Sequence, residues 1–196
     1  MSTALPALET ERLVIRPFVL EDLAEAHRVL SDAWAVPRAD QPAQLPARER
    51  WLRWAVENEA ALAELSQPPF GDRAVVRRAD GRLVGSVGLV PALGPFGQLP
   101  GFPAHRGSRA WFLEAGLFWA IDPAHQGQGY ATEAAGALIA RAVAQFRLGR
   151  LVATTEFDNA PSLAVMRKLG MRILSNPERE PAWLQAVGVL EAPAAP

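Results

Sequence analysis

The stretch Gln126–Ala131, which reads Gln-Gly-Gln-Gly-Tyr-Ala, carries the residue types and spacing best suited to chemistry. Gly127 and Gly129 have no Cβ, so the backbone can turn tightly there and a bulky ligand can approach it closely. A strand is predicted ahead of this turn and a helix behind it. The turn would therefore present unpaired amide N–H groups and the positive end of a helix dipole, which together favour phosphate. We predict a phosphate cradle here; the alternative is a tight strand-to-helix turn that binds nothing.

Other phosphate-binding motifs do not fit this stretch. A P-loop requires the pattern Gly-x-x-x-x-Gly-Lys-Ser/Thr, and no lysine follows the glycines here. A dinucleotide fingerprint requires three glycines near the start of a Rossmann domain, whereas this stretch has two and lies past mid-chain. The pattern is instead Gln-x-x-Gly-x-Ala, which resembles the pyrophosphate-binding turn of the GNAT N-acetyltransferases, where coenzyme A is held.

Hydrophobic periodicity predicts the elements that position the cradle. The apolar run 115–121 predicts a buried strand, which Pro123 ends because proline cannot donate to a sheet ladder. Over residues 131–146 apolar side chains recur at helical spacing, which predicts a helix starting near Thr132. The cradle would thus lie between a buried strand and a long amphipathic helix.

Two further segments resemble the RimJ/RimL-like branch of the same family. Residues 8–17 read Leu-Glu-Thr-Glu-Arg-Leu-Val-Ile-Arg-Pro and are followed by an Asp-Leu pair, which looks like the opening of that branch. Asn159 and Ser162 form an Asn-x-x-Ser pattern, followed at residues 168–171 by Lys-Leu-Gly-Met, which is similar to the segment that closes this helix in the branch. Asn159 or Asp158 is also a predicted helix N-cap, with Pro in the first turn. The three matched segments occur in the same order as in the family and are spread over most of the chain, and together they support the resemblance.

The resemblance implies the GNAT fold, of α/β (α+β) class. It comprises a single mixed, mostly antiparallel central sheet of about seven strands, splayed in the middle and flanked by about four helices. The two parallel strands that diverge would be those ending at Ile121 and Phe157. We expect one N-acetyltransferase domain over residues 1–196, with a core at about 8–191 and a tail at 192–196.

The resemblance also implies that acetyl-coenzyme A is the cosubstrate and that no metal takes part. Backbone N–H groups of the glycine turn would bind the pyrophosphate, and the pantetheine arm would pair with the end of the strand before it. The residues expected to bind coenzyme A are Trp119, Ala120, Ile121, Gln126, Gly127, Gln128, Gly129, Tyr130, Ala131, Thr132, Asn159, Ser162 and Lys168.

The candidate catalytic residues follow from what an amine requires to attack a thioester. The amine must be neutral, and an α-amino group titrates near ~8 against ~10.4 for a lysine, so one carboxylate acting through water could suffice for a terminal amine. Glu114 is the candidate base, in a position where the family often carries Glu; the alternative is an exposed carboxylate at the start of a strand. Ser162 is the candidate proton donor to the leaving thiolate, since it alone matches the family's Asn-x-x-Ser motif, whereas Tyr130 is expected to pack. His105 and His125 are also candidate bases, although a lone loop histidine is more often a bystander.

Composition limits the partners. The chain has 196 residues, a net charge of −1 and no cysteine, so it offers no disulfide framework, zinc knuckle or thiol nucleophile. Direct attack in a ternary complex is therefore favoured over a cysteinyl-acetyl intermediate. No basic block recommends nucleic acid or an anionic membrane as partner. Residues 1–10 lack the pattern of a signal peptide, so we expect a cytoplasmic protein, and its spare tryptophans suggest a homodimer.

The expected function is transfer of an acetyl group from acetyl-coenzyme A to a primary amine, namely a protein or peptide N-terminal α-amine. One alternative is acetylation of a small-molecule amine such as an aminoglycoside, a polyamine or an amino acid. The near-neutral charge disfavours a strongly cationic acceptor, which would want an acidic cleft. The other alternative is a non-catalytic coenzyme A-binding sensor.

The remaining patterns predict the frame around these residues. A second amphipathic helix is expected over 48–65, with Leu65 among its inward residues, and an Asp-Gly pair at 80–81 predicts a β-hairpin. Residues 32–46 and 91–110 are rich in proline and read as loops. We expect the longer loop, 91–110, to cover the acceptor side of the active site.

Overall fold

Eight β-strands and four α-helices make up the part of the chain that the computed structural model describes, residues 5–102 and 110–192. The strands in chain order are β1 (Leu8–Glu9), β2 (Leu13–Pro17), β3 (Gly71–Arg77), β4 (Leu83–Gly94), β5 (Phe112–Ile121), β6 (Arg150–Thr155), β7 (Arg172–Ser175) and β8 (Ala186–Glu191). The helices are α1 (Leu23–Ala33), α2 (Gln41–Glu64), α3 (Tyr130–Phe146) and α4 (Ala160–Lys168).

The strands form one mixed sheet in the order β1-β2-β3-β4-β5-β6-β8-β7. Neighbours pair antiparallel at β1–β2, β2–β3, β3–β4, β6–β8 and β7–β8, whereas β5 and β6 run parallel. The predicted mixed, mostly antiparallel sheet is confirmed, with eight strands in the described residues where about seven were expected. The short β1 has only two residues, too few to produce an alternating sequence pattern.

The chain divides into two compact units. The first comprises Met1–Leu89 and Phe118–Arg141, and the second comprises Val90–Leu117 and Ala142–Pro196. The expectation of a single domain over 1–196 stays a prediction.

In the first unit, α1 and α2 bury their apolar faces with residues of β3 and β4. The core cluster there contains Phe18, Ala26, Val29, Leu52, Ala55, Ala74, Val76 and Leu83. The predicted hairpin is confirmed: β3 and β4 pair antiparallel around the Asp-Gly turn, where Gly81 has φ +69°. That left-handed conformation is one that glycine adopts without steric penalty.

Helix α1 ends at Ala33 and α2 begins at Gln41, so the predicted loop at 32–46 is wrong over its first two and its last six residues. The loop was predicted because proline usually interrupts a helix. Pro42 lies in the first turn, where backbone N–H groups have no helical acceptor and a proline therefore loses nothing. Pro46 lies just inside the helix and removes one donor. At the other end the helix stops at Glu64, and Leu65, predicted to point inward, is 69% exposed.

In the second unit, the predicted loop at 91–110 is wrong at its start, residues 91–94, which belong to a strand. Strand β4 continues to Gly94, and Phe96, Leu99 and Phe102 are core residues with exposed fractions of 0 to 3%. The rings of Phe96 and Phe102 stack 5.2 Å apart. Proline and glycine break the periodicity of this segment without preventing its aromatic side chains from being buried. Residues 103–109 lie outside the described residues, so the covering role expected for this loop stays a prediction.

The parallel ladder between β5 and β6 has a single register pair, Gly116 with Val152. A Cβ on Gly116 would lie 2.8 Å from the Val90 carbonyl oxygen and 2.9 Å from the Ala92 Cβ, so only glycine permits this close approach to β4. The divergence predicted for the two parallel strands stays a prediction.

Within residues 5–102 and 110–192 no helix combines the length and apolar character needed to span a bilayer. The same ranges contain no group of three or more His, Cys, Asp or Glu side chains that could hold a metal ion.

Candidate active site

The turn after β5 has the backbone conformation that its two glycines predict. Gly127 has φ +73° and Gly129 has φ +85°. A residue with a Cβ would adopt such angles at a cost of roughly 1–2 kcal/mol. Helix α3 begins directly after the turn, at Tyr130, two residues before the predicted start at Thr132. The turn therefore leads straight into the first turn of a 17-residue helix.

Six consecutive backbone N–H groups, those of residues 127–132, donate no hydrogen bond to any atom of the described residues. The first bond of the helical ladder runs from the Glu133 N–H to the Gly129 carbonyl, at 3.0 Å. The side chains of Gln126 and Gln128, beside the glycines, are solvent-exposed. Several free donors at the positive end of the α3 dipole are suited to an anion that has several oxygens. This geometry supports the predicted phosphate cradle.

An ion pair that the sequence reasoning missed fastens the cradle to the N-terminal strand. The Arg12 guanidinium donates from Nε to Glu133 Oε2 at 2.7 Å, and its Nη2 lies 2.6 Å from the same oxygen. The Arg12 Nη1 also donates to the Gln128 carbonyl at 3.0 Å, so it holds the glycine turn itself. The Thr10 hydroxyl and the Arg12 N–H donate to Glu133 Oε1 at 2.6 and 3.0 Å. The segment that resembles a family opening is thus bound to the helix that opens the cradle.

The positive charge of Arg12 balances the negative charge of Glu133, a carboxylate that lies near the cradle. Burial raises the pKa of Glu133, but the hydrogen bonds from Thr10 and Arg12 and the Arg12 charge outweigh it, so the pKa lies below its usual value. Glu133 is therefore an anion at neutral pH, with the Arg12 cation against it. An unpaired carboxylate in the first turn of α3 would compete with a phosphate for the same N–H groups.

Three predicted cofactor-binding side chains are accounted for by contacts within the first unit. Tyr130 is 7% exposed and lies under the Arg12 guanidinium, 4.8 Å from its ring centre, in agreement with the packing role expected of it. The Gln126 side-chain amide donates to the Ile121 carbonyl at 2.8 Å, so it braces the end of β5. Ala120 is buried, and a Cβ on Gly85 would lie 2.4 Å from its carbonyl oxygen, so β4 approaches this strand closely.

Asp122 connects the end of β5 to the turn. Its Oδ1 accepts from the Ala124 N–H at 3.0 Å and its Oδ2 from the Arg28 guanidinium at 2.8 Å. Burial raises the pKa of Asp122, but those hydrogen bonds and the Arg28 charge bring it below its ordinary value. His125 Nδ1 lies 3.5 Å from Asp122 Oδ2 and is buried without a hydrogen bond in the described residues.

In the second unit, Glu114 is buried and not the exposed strand-start carboxylate that was its alternative interpretation. Its two oxygens accept from the Arg150 guanidinium at 2.9 and 2.5 Å, and its side chain is 7% exposed. The pKa of Arg150 is raised by these hydrogen bonds. The Arg150 guanidinium also stacks on the Phe102 ring, 4.9 Å from its centre. Glu114 therefore has one defined orientation, with two lone-pair positions left for other donors.

The Asn-x-x-Ser segment caps α4. The Asn159 Oδ1 accepts from the Ser162 N–H at 3.1 Å, and a proline occupies the first turn, so the predicted N-cap is confirmed. Ser162 is half-buried, whereas Lys168 is exposed at the last position of the helix.

The structure thus brings together one group of the predicted residues within the first unit. These are Trp119, Ala120, Ile121, Gln126, Gly127, Gln128, Gly129, Tyr130, Ala131 and Thr132. Glu114, Asn159, Ser162 and Lys168 belong to the second unit. His105 lies outside the described residues. Arg12 and Glu133 were missed as site residues, although the Thr-Glu-Arg opening and the Glu three residues into α3 were visible in the sequence.

Comparison with known proteins identifies what this arrangement is similar to. A family model for the acetyltransferase (GNAT) domain matches residues 12–172. The uncharacterized N-acetyltransferase YnaD of Bacillus subtilis (strain 168) is 43% identical over 54 residues, which are 28% of this chain. The aligned stretch spans only 32% of that relative's length.

Two solved structures share the fold. The ribosomal-protein-S5-alanine acetyltransferase from Vibrio fischeri has a TM-score of 0.66 at 16% identity, over 97% of this chain and 99% of that one. RimJ from Mycobacterium smegmatis, in complex with a CoA-disulfide, has a TM-score of 0.60 at 21% identity, over 92% and 82% of the two chains. Identities this low establish the likeness of fold alone.

Proposed function

The chain belongs to the GNAT acetyltransferase family, and we propose that it transfers an acetyl group from acetyl-coenzyme A to a protein or peptide N-terminal α-amine. The observation that carries the proposal is the run of six unpartnered amides at residues 127–132, within the described part of the chain. A side-chain-free turn that leads into a helix N-terminus fits the diphosphate of coenzyme A. Trp119, Ala120 and Ile121 would pair with the pantetheine arm through their main chain.

The cosubstrate supplies an acetyl group activated as a thioester. In the proposed reaction the acceptor nitrogen forms a bond to the acetyl carbon and the carbon–sulfur bond breaks. The chain has no cysteine to carry the acetyl group, which supports direct transfer between the two substrates. Ser162 is the proposed proton donor to the departing sulfur, and a water held by Glu114 is the proposed proton acceptor from the amine.

The ion pair with Arg150 gives the Glu114 proposal a specific form. Arg150 uses one lone pair on each carboxylate oxygen, so the remaining lone pairs are available to a water molecule. A carboxylate fixed in this way orients that water, which suits an amine that is already partly neutral. An α-amine, with a pKa near ~8, needs less assistance than a lysine near ~10.4. An N-terminal α-amine is therefore favoured over a lysine side chain as acceptor.

The family relationship adds support for the acceptor class. One protein with a similar fold is named a ribosomal-protein-S5-alanine acetyltransferase, which places its acceptor among proteins. The proposal for this chain is correspondingly a protein or peptide acceptor, with the identity of that protein left to experiment.

The test measures free thiol released from acetyl-coenzyme A in the presence of a panel of amines. We expect release with peptides that carry a free N-terminus, and none with the same peptides N-acetylated even if they contain lysine. Release only with polyamines or aminoglycosides would replace the peptide acceptor by a small molecule. Calorimetric binding of coenzyme A without release for any amine would make the chain a sensor.

A further inference from the structure

Arg48 on helix α2 is a cation that the proposed reaction does not use. It is 9% exposed, and its Nε is fully buried without a hydrogen-bond partner. Within the described residues no carboxylate or carbonyl accepts a hydrogen bond from any nitrogen of this side chain, and no carboxylate forms an ion pair with it. Burying a charge that has no partner is costly, so the position of Arg48 requires an explanation.

Two tryptophan rings hold the Arg48 guanidinium. Its central carbon lies 4.9 Å from the centre of the Trp34 ring and 5.0 Å from that of Trp51. Trp51 is fixed in turn, since its Nε1–H donates to Asp72 Oδ2 at 3.1 Å and its ring meets Phe18 edge-on at 5.1 Å. We call Trp34, Arg48 and Trp51 the arginine clamp. Stacking engages only the faces of a guanidinium and not its edge, where its N–H donors lie, so these donors are left without an acceptor in the described residues.

The charge balance in the clamp is incomplete. Burial lowers the pKa of the Arg48 guanidinium, and the Asp72 charge acts against that effect. Burial also raises the pKa of Asp72, which makes it a poor counter-ion. Asp72 is instead a hydrogen-bond acceptor for Trp51. The clamp therefore offers a desolvated cation with free donors, and a planar carboxylate is the group that guanidinium donors match in geometry.

The clamp adjoins the strand expected to hold the pantetheine arm. Trp34 is 51% exposed, and its ring centre lies 6.3 Å from that of Phe118. Phe118 directly precedes Trp119, Ala120 and Ile121 in β5. Trp34 thus contacts both the Arg48 cation and a side chain of the strand at which the acetyl donor is proposed to lie.

From these observations we propose that the arginine clamp binds a carboxylate group of the acceptor. The inference rests on the proposed function and narrows its substrate class to amines that carry a carboxylate near the reacting nitrogen. Two sources share this chemistry: an acidic side chain close behind the N-terminus of a peptide, and the α-carboxylate of a free amino acid.

A kinetic test uses acceptors matched in shape but not in charge. The peptide pair begins Ala-Asp or Ala-Asn, and the small-molecule pair is an amino acid and its amide. We expect kcat/KM in the wild type to favour the carboxylate member of one pair by about tenfold or more, the scale of a hydrogen bond to a charged group. Arg48→Met should abolish that preference while leaving the KM for acetyl-coenzyme A unchanged. The pair that shows the preference identifies the source of the carboxylate.

The matched control is Arg50→Met, which removes the same charge from an exposed position on the same helix. This variant should retain the preference for a carboxylate. If Arg48→Met lowers kcat/KM equally for both members of each pair, the role of Arg48 is structural and the inference is wrong. If Arg50→Met also removes the preference for a carboxylate, the preference comes from the overall charge of the protein and the inference is again wrong.

A binding test separates this inference from the proposed function. The ligands are N-acetylglycine and N-acetylglycinamide, and the signals are the indole N–H resonances of Trp34 and Trp51, assigned with Trp34→Phe and Trp51→Phe. We expect N-acetylglycine to shift both resonances saturably in the wild type and not in Arg48→Met, and the amide to shift neither. Absence of a carboxylate-dependent shift overturns the clamp even if the enzyme acetylates peptides. A shift in a protein that releases no thiol with any amine would sustain the clamp and refute the transferase proposal.

Discussion

Replacing Arg12 by methionine tests whether the cradle depends on a residue outside its own turn. The change keeps much of the aliphatic bulk and removes three contacts: the ion pair with Glu133, the hydrogen bond to the Gln128 carbonyl, and the cation stacked on Tyr130. No atom of the glycine turn itself is altered. An effect on ligand binding would therefore come from positioning.

The magnitude follows from the contacts and their exposure. The Arg12 side chain is 44% exposed and that of Glu133 is 17% exposed. Because the pair is partly solvated, it contributes about 0.5–1 kcal/mol to the free energy of unfolding. The charge-assisted bond to the turn carbonyl adds about 1.5 kcal/mol, and the stacked ring about 0.5 kcal/mol. These contributions overlap, so we expect a loss of about 2 kcal/mol in the free energy of unfolding, and a fall in Tm of roughly 4–8 °C. Coenzyme A affinity should fall roughly three- to tenfold, because Glu133 is left unpaired at the anion-binding end of α3.

Two assays are needed, urea unfolding for stability and titration calorimetry for coenzyme A. Glu133→Gln and the double variant complete a cycle, in which we expect a coupling energy of about 0.5–1 kcal/mol, the contribution of the ion pair itself. Arg141→Met is the control, since Arg141 is exposed on the same helix and its side chain makes no hydrogen bond or ion pair with the described residues. A coupling below about 0.3 kcal/mol would show that the pair is not an energetic unit. If Arg12→Met is destabilised but its affinity for coenzyme A is unchanged, the contacts of Arg12 do not position the cradle.

The remaining predictions concern the turn, the base, the cap and acid stability. Gly129→Asp should abolish measurable coenzyme A binding in calorimetry, because a side chain and a negative charge would enter the anion site at φ +85°; affinity near wild type would argue against the cradle. Glu114→Gln should lower kcat/KM by roughly 10²-fold while coenzyme A affinity holds; Arg150→Gln, which keeps the carboxylate, should lose much less, and equal losses in both would mean that the ion pair is only structural. Asn159→Ala should destabilise the fold by about 1 kcal/mol through loss of the α4 cap, with rescue by Asn159→Asp; equal losses in both would refute the capping role. The pKa of Glu133 is lowered in the fold, so its contribution to the free energy of unfolding is complete above the unfolded pKa of about 4.3 and is lost as pH falls through the folded pKa. The difference in stability between wild type and Glu133→Gln, measured by urea unfolding, should therefore shrink below about pH 4. A difference that stays constant from pH 7 to 3 would contradict the pairing.

The parts of the site that depend on short-range geometry could be predicted from the sequence. The glycine turn needs positive φ at two positions, and Gln126–Ala131 shows that need in its residue types. The same holds for the cap, since Asn159 and Ser162 are three residues apart and bond to each other. A local motif carries its own geometry, so these predictions needed no knowledge of the fold.

Contacts between distant segments could not be predicted in the same way. Arg12 and Glu133 are 121 residues apart, and their pairing depends on where β2 and α3 lie in the fold. Glu114 was recognised by its place in a motif, but its partner Arg150 is 36 residues away and changes its setting from solvent to a buried ion pair. Phe96 and Phe102 were hidden among prolines, because the signal for burial is periodicity and this segment has none.

The tie to Arg12 has a consequence for how the enzyme is assembled. The Gln128 carbonyl of the glycine turn accepts a hydrogen bond from a residue 116 positions earlier, so the turn has this contact only when the N-terminal segment is in place. Bringing such distant segments together carries an entropic penalty that grows only slowly with their separation, so the arrangement is thermodynamically tolerable. A truncation that removes the first twelve residues should thus weaken coenzyme A binding, although every amide that is proposed to bind the diphosphate would still be present.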